Sequence, residues 1–116
     1  MPEPYTYYAI CIEVHDGDTV TLNVDLGMSV TMREQRIRLE GVMAPELREQ
    51  YGPEAAQYLR GLIHAAKVLV STKKEKQDKD RREKYGRWLG TIYRVDAGQL
   101  VNVNEEMNAW LAARKG

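Results

Sequence analysis

The sequence predicts a mainly β domain of the α+β class, and three observations carry that reading. Strand-forming segments rich in Tyr, Ile, Val and Thr follow one another near the N-terminus, separated by turn residues. Two further stretches have apolar residues at helical spacing behind a recognisable helix start. The resulting order is three strands, a helix, two strands and a helix. It opens on a meander, which suits a barrel or a curled sheet.

The first strand runs from Tyr5 to Val14, and Asp16-Gly17 is a turn pair. Thr19 to Val24 alternates as the second strand, so the two form a hairpin. Leu26-Gly27-Met28 is the next turn, and Ser29 to Leu39 the third strand. Pro45 stops the strand pattern. Gly52-Pro53-Glu54 then opens a helix with proline at its first position and an acid in its first turn. Ala55, Leu59, Leu62, Ile63 and Ala66 share one face of it. Val68 to Val70 makes a short fourth strand, and the mixed charges of Lys73 to Lys84 read as a solvated loop. Arg87 to Val95 is the fifth strand and Asp96-Ala97-Gly98 a turn. The last helix covers Asn102 to Arg114. Asn102 caps it with Glu105 three positions on, and Val103, Met107, Trp110 and Leu111 form its buried stripe.

With 116 residues, the chain has room for one domain, 1–116, around a single modest core. A hydrophobic content of 43% is enough to offset the entropy of folding, so the chain need not be disordered. Lys+Arg and Asp+Glu both number 17, for a formal net charge of zero. Any phosphate recognition must therefore come from local placement of charge and not from the field of the whole molecule. The single cysteine, Cys11, excludes an internal disulfide and reads as a small buried hydrophobe. The start Met1-Pro2-Glu3-Pro4 lacks the layout of a signal peptide, and no apolar run approaches a membrane span. The expectation is a soluble chain without an export signal, cytoplasmic or of unknown location, with no membrane partner.

Four short segments carry chemical information. Asp16-Gly17-Asp18-Thr19 puts two carboxylates around a turn glycine, a pattern shared by ordinary turns and by sites for hard cations that need oxygen donors. Arg36 and Arg38 project from one face of the third strand, where a guanidinium fork can grip a phosphate or simply meet solvent. Ala44-Pro45-Glu46 fixes the direction of a carboxylate that would serve as a general base for an attacking water. Lys84-Tyr85-Gly86-Arg87-Trp88 places an arginine after a glycine turn among aromatic neighbours, with Trp88 read as structural.

Together and in this order, these segments resemble the staphylococcal nuclease (thermonuclease) family. Val14-His15-Asp16-Gly17-Asp18-Thr19-Val20 is similar to its first motif, and Arg38 through Glu46 to the strand ending in its Asp-Thr/Ala-Pro-Glu motif. Tyr51-Gly52-Pro53-Glu54-Ala55 resembles the start of its first helix, and Lys84-Tyr85-Gly86-Arg87 its second arginine motif. Val101-Asn102 followed by a helix is similar to its next segment. The likeness runs over roughly residues 7 to 112. It implies a five-stranded OB-fold-like barrel with two helices, the family's third C-terminal helix having no counterpart. It also implies a calcium-dependent endonuclease that hydrolyses DNA or RNA and leaves 3′-phosphate ends. On that resemblance Asp18 would bind the metal, with the Ala44 carbonyl and Asp16 as further candidate ligands. Glu46 would be the general base or orient the water, Arg38 and Arg87 would hold the phosphate, and Lys84 and Tyr85 would line the nucleotide site.

Departures from the pattern temper this. Met43 stands where the family has a second metal-binding aspartate, and a neutral thioether is not a calcium ligand. Weakened calcium binding and low activity are the expectation. Only four residues separate Glu46 from Tyr51, so a shorter active-site rim is expected as well. The alternative is a catalytically weakened or inactive module that binds nucleic acid or protein, as OB-like barrels do without cutting. The nuclease reading is preferred because Asp18, Arg38, Glu46 and Arg87 are all present. A dimer contact is a candidate means of supporting the small core.

Overall fold

The computed structural model describes residues 6–45, 50–74 and 88–115. In chain order these residues form β1 (Thr6–Asp16), β2 (Thr19–Gly27), β3 (Val30–Leu39), α1 (Gly52–Ile63), β4 (Lys67–Lys74), β5 (Trp88–Asp96), β6 (Gln99–Asn102) and α2 (Val103–Lys115). The sheet runs β3-β2-β1-β4-β5-β6. A parallel pairing of β3 with β5, through Ile37–Trp88, Arg38–Leu89 and Leu39–Gly90, joins its two sides. That pairing closes β1, β2, β3, β5 and β4 into the five-stranded barrel that the family resemblance implies.

Alternation along the strands decides what fills it. Cys11 and Val14 from β1, Val20, Leu22 and Val24 from β2, Ile37 and Leu39 from β3, Val68 and Val70 from β4 and Ile92 from β5 all point inward and are buried. The intervening residues point away from the interior, Thr19 and Thr21 among them being buried all the same. Gly90 is needed where strands cross closely, since a Cβ there would lie 2.7 Å from a methyl of Ile37. The helices complete the core with Ala55, Ala56, Leu59 and Ile63 from α1 and Val103, Met107 and Leu111 from α2. Tyr58 stacks on Trp110 between them, ring centroids 5.3 Å apart. α2 is capped as expected, the Glu105 N–H donating to Asn102 Oδ1 at 3.0 Å. It is also pinned to β5 by a two-pronged Arg94–Glu106 pair at 2.8 and 2.7 Å.

Boundaries differ from expectation in several places. β2 runs through to Gly27 and the turn falls on Met28 and Ser29, both with positive φ. A two-residue hairpin turn of that hand matches the strand twist. α1 ends at Ile63, so Ala66 lies beyond the helix, after an extended His64 and a left-handed Ala65. Residues 99–102 form β6, a hairpin partner of β5 outside the barrel ring. The segment Lys73 to Lys84 divides: Lys73 and Lys74 end β4, and the rest lies outside the described residues. No helix among the described residues is long and apolar enough to cross a membrane.

Candidate functional site

The site grows from the β1–β2 turn. Thr19 pairs with Arg38 across β2 and β3, and the Leu39 N–H donates to the Asp18 carbonyl at 2.8 Å. The turn is thereby tied to the far end of β3. Gly17 sets its depth. A Cβ at Gly17 would lie 2.7 Å from the Ala44 Cβ and 2.8 Å from the Ala55 Cβ, so only glycine lets the turn press against both the 42–45 segment and α1. This close approach carries Asp18 inward until it is 9% exposed.

Asp18 is held on several sides. Its Oδ1 accepts the Thr19 hydroxyl at 3.1 Å and its Oδ2 accepts the Ala44 N–H at 3.2 Å. It is the N–H of Ala44 that makes this contact. Arg38 Nη2 stands 4.0 Å from the same Oδ2 and donates to the Met43 sulfur at 3.4 Å. The guanidinium thus bridges the buried carboxylate and a thioether whose residue is 72% exposed. Asp16 turns back on the same turn, its Oδ1 accepting the Asp18 N–H at 3.1 Å. Burial first, and then the adjacent Asp16 carboxylate, push the Asp18 carboxyl up to about 6. Desolvation and a like charge both disfavour its ionised form.

The structure therefore brings together Asp16, Asp18, Arg38, Met43 and Ala44. Arg36 lies one step along the same outward face of β3, opposite Thr21, and is exposed. Trp88, read from the sequence as structural, is exposed at the head of β5. Glu46, Lys84, Tyr85 and Arg87 lie outside the described residues.

Among the described residues, no three His, Cys, Asp or Glu side chains converge to hold a metal ion. The oxygen donors that the structure brings together at the turn are the Asp16 and Asp18 carboxylates, too few for the six to eight oxygens of a closed calcium cage. A divalent cation held by them would keep most of its hydration shell.

One residue that supports this site was not singled out in the sequence. Asn104 is 5% exposed. Its Oδ1 accepts the Ile92 N–H at 3.1 Å, and its Nδ2 donates to the carbonyls of Glu40 and Gly90 at 2.9 and 3.0 Å. It fastens α2, β5 and the chain just after β3. Its only sequence signal is an asparagine between apolar helix positions, where asparagine is a weak helix former.

Residues 36–113 match the family described as staphylococcal nuclease homologue. Over 108 residues the chain is 31% identical to the micrococcal nuclease of Shigella flexneri, covering 85% of this chain and 55% of that protein. It is 29% identical over 110 residues to an uncharacterized endonuclease of Escherichia coli O157:H7, covering 89% and 61%. It is 38% identical over 82 residues to protein ParB of Escherichia coli, covering 71% and 39%. The chain thus spans between 39% and 61% of the length of these relatives.

Proposed function

Because this chain belongs to the staphylococcal nuclease family, we propose that it hydrolyses phosphodiester bonds of DNA or RNA by attack of water, leaving 3′-phosphate ends. The observation that carries the proposal is the Asp18–Arg38 pair, a buried carboxylate 4.0 Å from a guanidinium at one end of the barrel. Such a pair offers an anchor for a cation beside a cationic fork for a phosphate.

Arg38 is 23% exposed through its side chain, so its free donors face solvent. Phosphate oxygens are better acceptors for them than the Met43 sulfur, and substrate would displace that contact. Arg38 then stabilises the negative charge that builds on the phosphoryl oxygens in the transition state. On the family pattern, Arg87 gives the second guanidinium and Glu46 takes the proton from the attacking water. Lys84 and Tyr85 line the nucleotide. Asp18 and Asp16, with the Ala44 carbonyl, would hold calcium. A bound divalent cation there supplies charge neutralisation at the phosphate and a more acidic water.

A second reading, a module that binds without cutting, is favoured by Met43 in place of a carboxylate. One experiment separates the two. The protein is incubated with denatured DNA and with RNA in calcium, then in excess chelator. Chelator-sensitive cutting lost in Glu46→Gln and Arg87→Ala establishes the nuclease. Binding without cutting at any calcium concentration establishes the module.

A further inference from the structure

The outward face that carries Arg38 does not end at the catalytic residues. Val20, Leu22 and Val24 point into the barrel, so Thr19, Thr21, Asn23 and Asp25 are directed away from it, Thr19 and Thr21 buried beneath their neighbours and Asp25 open. The register sets Thr19 beside Arg38, Thr21 beside Arg36 and Asp25 beside Thr31. On the other flank Tyr8 pairs with Asp25 and Ile10 with Asn23. The exposed path from Arg38 follows β3 past Arg36 to Arg33, and Arg33 lines a groove of about 590 Å³. Its floor is Tyr8, Ile10 and Ile12, which are 52%, 48% and 40% exposed. Lys67 and Arg33 stand at its sides.

This composition is unusual for the outside of a strand, where polar residues normally alternate with the core. An apolar, partly aromatic floor between cations suits unpaired bases, with phosphates meeting the flanking charges. Lys67 Nζ lies 4.6 Å from the Tyr8 ring centroid, so the ring already stacks with a cation on the surface. The groove also holds two acids, Asp25 and Glu34, which balance Lys67 and Arg33, and the Asp25 carboxylate is engaged by the Gly27 N–H at 2.8 Å. Arg38 and Arg33 are five positions apart on β3, about 17 Å of extended chain. That reach fits the several nucleotides an OB-like barrel covers.

We propose that the Tyr8–Ile10–Ile12 groove is a second nucleotide-binding site, which seats bases of a single strand whose scissile phosphate lies at Arg38. The inference rests on the nuclease reading and extends it from one phosphate to a track across the sheet. A phosphate gripped by Arg38 alone fixes one point of a flexible strand. A base seated in the groove fixes its direction as well.

The test is binding under chelator, so that no cutting intervenes. Fluorescence anisotropy is measured with a labelled dinucleotide and with a single-stranded oligonucleotide of about twelve residues, long enough to cover an OB-like face. The expected result is that Tyr8→Ala and Arg33→Ala, on separate strands, each weaken the long oligonucleotide by about tenfold, the scale of one lost base contact. Dinucleotide binding should not change. Wild-type-like affinity of both variants for the long oligonucleotide overturns the groove, and dinucleotide cutting in calcium then shows that the nuclease reading still stands. Failure of the wild type to bind or cut any nucleic acid overturns both. A concentration-dependent dimer dissociated by Tyr8→Ala, with oligonucleotide affinity unchanged, assigns the face to self-association and overturns the proposal.

Discussion

Asn104 and Asp18 are both polar side chains withdrawn from solvent, 5% and 9% exposed, and their surroundings could hardly differ more. Asn104 offers one acceptor and two donor hydrogens, and its amide meets an N–H and two carbonyls. It is neutral and well satisfied. Asp18 carries a charge, receives one neutral donor on each oxygen, and has Asp16 turned toward it. A buried polar group with its hydrogen bonds met is scaffold. A buried carboxylate pressed against another is held in a state that a cation or a proton relieves, and that marks a site.

Removing each side chain should therefore move stability in opposite directions. Asn104→Ala leaves the Ile92 N–H and the carbonyls of Glu40 and Gly90 without their partner. The expected loss is about 3 kcal/mol, read as a fall in the urea midpoint. A loss under ~1 kcal/mol would mean that water replaces the amide.

Gly17→Ala is next, because its methyl would overlap Ala44 and Ala55. A loss of about 2 kcal/mol is expected from overpacking, accompanied by weaker activity as the turn carrying Asp18 is pushed outward. Unchanged stability would show that the 42–45 segment yields.

Asp18→Asn should stabilise the fold while abolishing cleavage. The Asp18 value of about 6 lies above the 3.8 of a free aspartate, so the native state holds its proton longer than the unfolded chain. Its contribution is full below about pH 4 and is lost as pH rises through about 6. In chelator the variant should match wild type near pH 4 and exceed it above pH 6, by on the order of 1 kcal/mol after solvent screening. Equal stability at both values would remove the like-charge argument.

Met43→Asp restores a carboxylate beside Arg38 and the Asp16–Asp18 pair. Calcium affinity should rise roughly tenfold, or about 1.4 kcal/mol, by isothermal titration. Unchanged affinity and cleavage would exclude Met43 as the weak point of the site. The smallest effect concerns Cys11, buried without a neighbouring like charge. Burial pushes its thiol up to about 11, so a thiol reagent at about pH 8 should label it only after unfolding. Fast labelling of the native protein would show that β1 opens.

Much of this was legible in the chain. The alternation of Val20, Leu22 and Val24 fixes which face of β2 is core, since side chains on a strand have only two directions. Asn102 announced its helix because capping is a contact between neighbours in sequence. Asp18, Arg38 and Met43 stood out because they fall in motifs of recognisable order. Asn104 did not, because its partners Glu40 and Gly90 lie 64 and 14 positions away. The requirement for glycine at 17 was hidden for the same reason, since Asp-Gly reads as a turn whether or not Ala44 and Ala55 crowd it.

By itself, then, the sequence determined five of the strands, both helices and the residue types at the site, which rest on local periodicity and short motifs. The barrel entered only as what the family resemblance of those motifs implies. Tertiary structure alone decided the closure of β3 on β5, the depth of Asp18, the contact between Arg38 and the Met43 sulfur, and the run of the outer face from Arg38 to the Tyr8 groove. These depend on distances between segments far apart in the chain, which packing sets and residue order does not.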